Sequence, residues 1–509
     1  MHWPILPILL PFATGVLLIF MARAALWQQR LASLVSALLG IGVAIGLLVA
    51  TAQGEVLLYH LGNWPVPFGI VLVVDRFSAL LVAMTAVLST LALTYGCRSD
   101  DRYGRTYHAL FHFLLLGLQG AFITGDLFNL FVFFEILLLA SYGLLMVGAG
   151  PERTRASFHY VILNVAGSAL FLIGIGVLYG TLGSLNLAHL AERVVLADPA
   201  DWPLIRAGGL IMLMAFGLKA AMLPMYFWLP AAYSAAAPSV AALFAIMTKV
   251  GLYAIIRVHG LLFGGIHSPL AAEHLVWLWW LAGGTLMLAL IGLLAARTLK
   301  RLVSYLVISS VGLVLLTLAL DHPPVLAGTL YYLVHSTFVV AGLYLLADLI
   351  SQQRGSTRDY LTTGQPMGQP VLLGILFLLG ALSLAGMPPF SGFVSKLLIF
   401  QSSAGHPQAA WLWALMLIST LVAIIALSRA GSTLFWRTTP KPPARQRADG
   451  WQLAVASSTL FIGVALSLAG EPVMQWTLAA AADLANPDHY IAHVLGRAPV
   501  WHSAEVLAP

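Results

Sequence analysis

Ala215-Phe216-Gly217-Leu218-Lys219-Ala220-Ala221-Met222-Leu223-Pro224 is the stretch on which the fold turns. It lies inside an apolar run long enough to cross a bilayer, yet it sets a lysine five residues before a proline. A charge at bilayer depth costs at least ~2.5–3.5 kcal/mol. Proline removes a backbone donor and breaks the helical ladder, freeing carbonyls that hydrocarbon does not tolerate unless they line a protein or water cavity. The run therefore reads as a broken transmembrane helix carrying a working lysine.

A second stretch has the same character: Ala385-Gly386-Met387-Pro388-Pro389-Phe390-Ser391-Gly392-Phe393-Val394-Ser395-Lys396. Discontinuous helices in corresponding positions are the mark of inverted-repeat transporters. Pro224, Pro388 and Pro389 are the expected helix breaks.

The chain surrounding these stretches has 509 residues, 60% hydrophobic and 9% charged. With a mean hydropathy of +0.92, it cannot fold in water without exposing large apolar patches. The class is an all-α polytopic membrane protein. Spans are predicted near 3–22, 31–51, 73–96, 107–124, 128–149, 156–181, 205–228, 236–257, 274–294, 300–320, 324–350, 371–402, 409–436 and 451–470. That makes about fourteen helices. They divide into N-terminal helices (1–106), two five-helix repeats (107–257 and 274–436) that each contain one broken span, the seventh and the twelfth, and a last helix with a tail (451–509).

Of the 25 lysines and arginines, 17 fall in alternate loops, among them Arg98, Arg102, Arg105, Arg297, Lys300 and Arg301. The positive-inside rule then places both termini outside the cytoplasm and accounts for most of the +6 net charge. A membrane topology, and not nucleic-acid binding, explains that charge. Cys97 is the sole cysteine, which excludes an internal disulfide, a cysteine-ligated cluster and a zinc site built on several thiolates; it is expected to be inert. No phosphate-binding loop, flavin motif or haem motif is present, so no cofactor is expected and transport must draw on an ion gradient or a partner. Outside the spans, Glu55–Leu72 reads as a hairpin turning at Gly62-Asn63, and Ser184–Leu196 as an interfacial amphipathic helix.

Four ionisable residues lie at membrane depth: Glu135, Lys219, Lys249 and Lys396. Glu135 sits in Phe133-Phe134-Glu135-Ile136-Leu137 and must be protonated or meet a cation. Lys219 and Lys249 are its candidate partners, and a Glu135–Lys219 pair is expected either as a proton gate or as a static pair fixing helix packing. Lys249 serves as a relay or else snorkels toward the surface at Arg257. His335 can bridge Lys249 and Lys396, a proton being exchangeable on either ring nitrogen, or simply pack. A second tier comprises Asp126, expected to cap the fifth span, His112 and Asp348. No metal site is expected.

The run Gly125-Asp126-Leu127-Phe128-Asn129-Leu130-Phe131-Val132-Phe133-Phe134-Glu135, the run from Trp228-Leu229-Pro230 to Leu243-Phe244-Ala245, and Thr248-Lys249-Val250-Gly251-Leu252-Tyr253 resemble the antiporter-like membrane subunits shared by complex I and the multisubunit cation/proton antiporters. The sequence is most similar to the D-type subunit of the Mrp and Pha antiporters, over nearly the whole chain. The resemblance implies a secondary transporter subunit of the bacterial inner membrane, not an enzyme. It also implies partner subunits of the A, B, C, E, F and G types, exchange of H+ against Na+ or K+, and a proton path through Glu135, Lys219, Lys249 and Lys396. Relatives often carry a lysine four residues after the histidine of the eleventh span, where this chain has Val339. Two other readings stay open: a proton-pumping subunit of a respiratory NADH-quinone oxidoreductase or membrane-bound hydrogenase complex, and a structural subunit with no transport role.

Overall fold

The computed structural model describes residues 2–502 apart from 149, 265–267, 269, 271 and 272. Two long helices, α1 (Leu6–Phe20) and α2 (Leu26–Thr51), lead into a small hairpin of β1 (Leu57–His60) and β2 (Val71–Val74), which pair antiparallel with Leu57 opposite Val74. Gly62 and Asn63 both adopt positive φ, +64° and +58°, within a longer connection. The apolar run at 70–74 therefore belongs to the strand. The third expected span begins only at Arg76, where the Asp75 carboxylate caps α3 (Arg76–Gly96) by accepting from the Ser78 amide at 2.9 Å.

The next helices are α4 (Tyr107–Ile123), α5 (Leu127–Leu145), α6 (Pro151–Leu182), the short α7 (Leu187–Val195), α8 (Trp202–Ala220), α9 (Trp228–Ala235) and α10 (Pro238–Ala254). A π-helical turn, Ile255–His259, carries α10 into α11 (Gly260–Leu262). The second half holds α12 (Glu273–Ala295), α13 (Leu299–Leu318), α14 (Pro323–Gln353), α15 (Pro370–Ala385), α16 (Ser391–Ser402), α17 (Ala409–Gly431) and α18 (Gly450–Leu468), followed by α19 (Gly470–Ala485) and α20 (Pro487–Leu495). Among the described residues, twelve helices are long and apolar enough to cross a membrane. The remaining two expected spans correspond to the shorter α4 and to α15 with α16, separated by a break.

Both interrupted regions end their first helix on a left-handed residue: Ala221 (φ +63°) after α8 and Gly386 (φ +76°) after α15. Pro224 lies between α8 and α9, and Pro388 and Pro389 lie between α15 and α16. The second half of the seventh span runs on to Ala235, past its predicted end, because Trp228-Leu229-Pro230 starts a new helix there.

The C-terminal tail is helical: α19 packs against α14 and α3, and α20 packs on α7. The α7 segment, expected as an interfacial amphipathic helix, packs against the rest of the chain, and its Glu192 is 2% exposed. The Glu192 carboxylate accepts from both terminal nitrogens of Arg497 at 2.9 and 2.6 Å and from the Val500 amide at 3.0 Å.

At the centre stand α10 and α14, whose apolar windows are 100% and 94% buried by other parts of the chain. Their surroundings are protein and not lipid, which is where a costly charge can be kept.

Candidate functional site

Glu135 is half-buried on α5, and its Oε1 accepts a short hydrogen bond from the Ser168 hydroxyl of α6. Lys219 Nζ, near the end of α8, reaches the same Ser168 Oγ at 3.4 Å, with the Asn164 carbonyl and Oδ1 also at 3.4 Å. The direct Glu135–Lys219 ion pair expected from the sequence is therefore replaced by a hydroxyl bridge. Asn164 and Ser168 stand one helical turn apart, so one face of α6 presents both groups. Sequence reading missed them, although polar residues four apart in an apolar helix are a recognisable signal of cross-helix hydrogen bonding.

Lys219 borders a cavity of about 10 Å³ whose far wall includes Met247 and Val250 of α10. Those two residues flank Lys249 in sequence. The backbones come together because Gly251 has no side chain: a Cβ there would stand 2.5 Å from the Ala220 nitrogen. Lys249 is 1% exposed and donates to Ser310 Oγ of α13 at 3.1 Å. It thus points into the second half of the molecule and does not snorkel toward Arg257, whose guanidinium is held by Asp75 at 2.7 Å.

His335, fully buried on α14, pairs its Nδ1 with Ser391 Oγ at 2.8 Å, and that hydroxyl donates onward to the Gly463 carbonyl at 2.6 Å. The Nε2 atom is buried without a partner. It looks onto Gly392, where a Cβ would come within 2.9 Å of it. Lys396, on α16, donates to the Ala385 carbonyl at 3.1 Å and to Thr420 Oγ1 at 2.7 Å. Ala385 is the last residue of α15, so the lysine occupies a carbonyl that the break leaves free. At the first break the Trp228 indole donates to the Leu218 carbonyl at 3.1 Å, which also accepts from the Ala221 amide at 3.1 Å. The two lysines lie on opposite sides of their breaks, Lys219 before and Lys396 after. Val339 is buried apolar filling against Gly463.

The second-tier residues have structural partners. Asp126 caps α5, accepting from the Asn129 amide at 2.8 Å. His112 Nε2 pairs with Ser33 Oγ at 2.7 Å. Asp348 accepts from the Tyr95 hydroxyl and from Gln352, both at 2.8 Å.

A further charged node, unsuspected from the sequence, occupies the α3–α4 connection. Asp101 takes two hydrogen bonds from Arg30, at 2.6 and 2.9 Å, and lies 3.3 Å from His108 Nε2. Burial alone would raise its pKa, but the His108 and Arg30 hydrogen bonds outweigh that and hold the carboxyl below its ordinary value. Neighbouring Asp100, raised by burial, accepts from the Ser239 amide at 3.0 Å and its hydroxyl at 2.5 Å, at the start of α10. Cys97 Sγ, an Asp101 oxygen and a His108 nitrogen come within 4.8 Å of one another. Arg30 already engages both Asp101 oxygens, and burial pushes the Cys97 thiol up to about 12, so the trio works as an ion-pair node beside a protonated thiol.

Residues 124–425 match the family model described as NADH:quinone oxidoreductase/Mrp antiporter, TM. The chain belongs to this antiporter family. Among its relatives, the D-type subunit of a probable K(+)/H(+) antiporter from Rhizobium meliloti (strain 1021) is 38% identical, aligned over 100% of this chain and 98% of its own. The D-type subunit of the Na(+)/H(+) antiporter from Bacillus subtilis (strain 168) is also 38% identical, over 97% and 99%. A chain in the structure of the Mrp complex from Dietzia sp. DQ12-45-1b superposes with a TM-score of 0.88 at 26% identity, covering 97% of this chain and 99% of that one. Family membership makes this chain a transporter subunit and not an enzyme.

Proposed function

We propose that this chain is the proton-carrying subunit of a multisubunit Na+/H+ or K+/H+ antiporter. The proton would pass from Glu135 through Ser168 to Lys219, across a water to Lys249, and by way of His335 toward Lys396. One observation carries the reading: the three lysines are nearly fully enclosed in the bundle and, among the described residues, form no direct ion pair with a carboxylate, each being held instead by hydroxyls or carbonyls. A static structural pair would need a countercharge against each cation; hydroxyls are groups that can pass a proton on.

Finer features belong to the same proposal. The matched left-handed residues at Ala221 and Gly386 support two inverted five-helix units, 107–257 and 274–436, within about fourteen spans. Basic residues in alternate loops support an inner-membrane topology with both termini outside the cytoplasm. The half-buried Glu135 supports a neighbouring subunit, of the A, B, C, E, F or G types, against α5, because an ionised carboxylate facing hydrocarbon is costly.

The test is cation-induced collapse of a respiration-generated pH gradient in everted vesicles carrying the complete gene cluster. Na+ or K+ should collapse the gradient with the wild-type chain, and Lys219→Ala at matched assembly should abolish that. Equal collapse by Lys219→Ala sinks the proton path. Quinone-linked pumping with no cation response would move the chain to a respiratory complex.

A further inference from the structure

Lys249 donates to Ser310 in the cleft between α10 and α13. Seven residues on, each helix returns the same face to that cleft, about 10 Å further along. The residues found there are Ile256 and Thr317, and both line a cavity of about 350 Å³. At this level α10 gives way to its π-helical turn, which brings His259 to the cavity wall as well. Such turns are frequent at functional sites.

The α13–α14 connection also contributes to the lining. Asp321, at φ +47°, and His322 stand there, and the His322 ring lies edge-on to His406 at 6.2 Å. The volume has room for about ten waters at the liquid's ~30 Å³ each. Its lining joins apolar residues such as Ile255, Leu278 and Leu326 with the polar groups of His259, Thr317, Asp321 and His322. Among the described residues, this cavity is distinct from the one bordering Lys219.

We propose that this cavity is a water-filled proton vestibule joining Lys249 to the surface at the α13–α14 connection, with Thr317 at its floor and Asp321 and His322 as the proton-exchanging groups at its rim. The proposal rests on the lysine-chain reading above. It adds a second opening midway along the chain, so that Lys249 exchanges protons with one aqueous phase directly and not only through Lys396. Protons are its proposed cargo, since among the described lining residues Asp321 and Thr317 supply the side-chain oxygens, too few for a hard-cation cage.

Because Cys97 is the sole cysteine and is buried, a Cys97→Ser parent gives a clean background for thiol access. In the complete antiporter complex, Thr317→Cys would be challenged with Ag+, a thiol-reactive ion that travels where water does. Antiport by Thr317→Cys should fall at least tenfold relative to the same variant without Ag+, while the parent is unaffected. His322→Cys at the rim serves as the access control. If Ag+ modifies His322→Cys but leaves Thr317→Cys at full rate, the cavity is closed or filled by an acyl chain and the vestibule is refuted. Modification of Thr317→Cys without loss of antiport refutes it equally. Lys249→Ala separates the two readings: full transport by that variant removes the lysine chain itself, whereas an inactive Lys249→Ala with an Ag+-insensitive Thr317→Cys removes only the vestibule.

Discussion

Ser168 is the residue on which the Glu135–Lys219 relation depends, since its single hydroxyl meets both groups. Ser168→Ala should lower the cation-driven rate of gradient collapse by roughly ten- to a hundredfold, the ~1–3 kcal/mol cost of a buried polar group left without its partner. Assembly of the complex on a native gel should be unchanged; full activity in Ser168→Ala would show that the carboxylate and ammonium communicate another way. Asp101 makes a different kind of statement. Its carboxyl is held below its ordinary value in the folded chain, so the Arg30 and His108 contacts contribute stability above the unfolded value of about 4. That contribution is lost as pH falls through the folded value. Asp101→Asn should therefore lower thermal stability in detergent at pH 7, and the gap to wild type should narrow below pH 4. A constant gap across that range would mean the loss is one of shape and not of charge.

Among the elements, the broken pair α15 and α16 is the most sharply constrained. At Gly392 an added Cβ would stand 2.1 Å from the Ser383 carbonyl, a backbone atom that cannot step aside. Gly392→Ala should cost roughly 1–3 kcal/mol of overpacking and impair antiport by displacing Ser391 from His335. Wild-type activity in that variant would mean the contact relaxes freely. The breaks themselves were legible in sequence, because Pro224, Pro388 and Pro389 each forbid a continuous ladder. The membrane cost of a charge likewise singled out Glu135 and the lysines without any structure. The pairing of those residues was not legible: Asn164 and Ser168 mark a polar face of α6, and Ser310 and Thr420 each follow another hydroxyl residue, but such signals do not say which residue on another helix they meet. The α3–α4 node escaped for the same reason: Arg30 read as a loop residue, and only the packing of α2 beside that connection brings it to Asp101.

At the scale of the whole molecule, the chain closes on itself through its last helices. Glu192 of α7 and Arg497 beyond α20 join two points 305 residues apart. Removing one partner leaves a buried carboxylate uncompensated or a guanidinium idle. Arg497→Ala should make the segment after α19 susceptible to limited proteolysis while α1 to α18 stay resistant, as read by mass spectrometry of the fragments. Uniform resistance would show that apolar packing of α19 and α20 suffices.

The unequal fastening of the two hinge lysines bears on how stiff each end of the molecule is. Lys396 is gripped at 2.7 and 3.1 Å, and a neutral amine keeps two donors and gains a lone pair. Its grip on the Ala385 carbonyl can therefore survive loss of the proton, with Thr420 free to reverse its role. Lys219 floats among acceptors at 3.4 Å, contacts that lean on charge more than on geometry. On the proposed proton path, unloading would therefore loosen the contacts of Lys219 more than those of Lys396, leaving the Lys219 end of the bundle the more yielding.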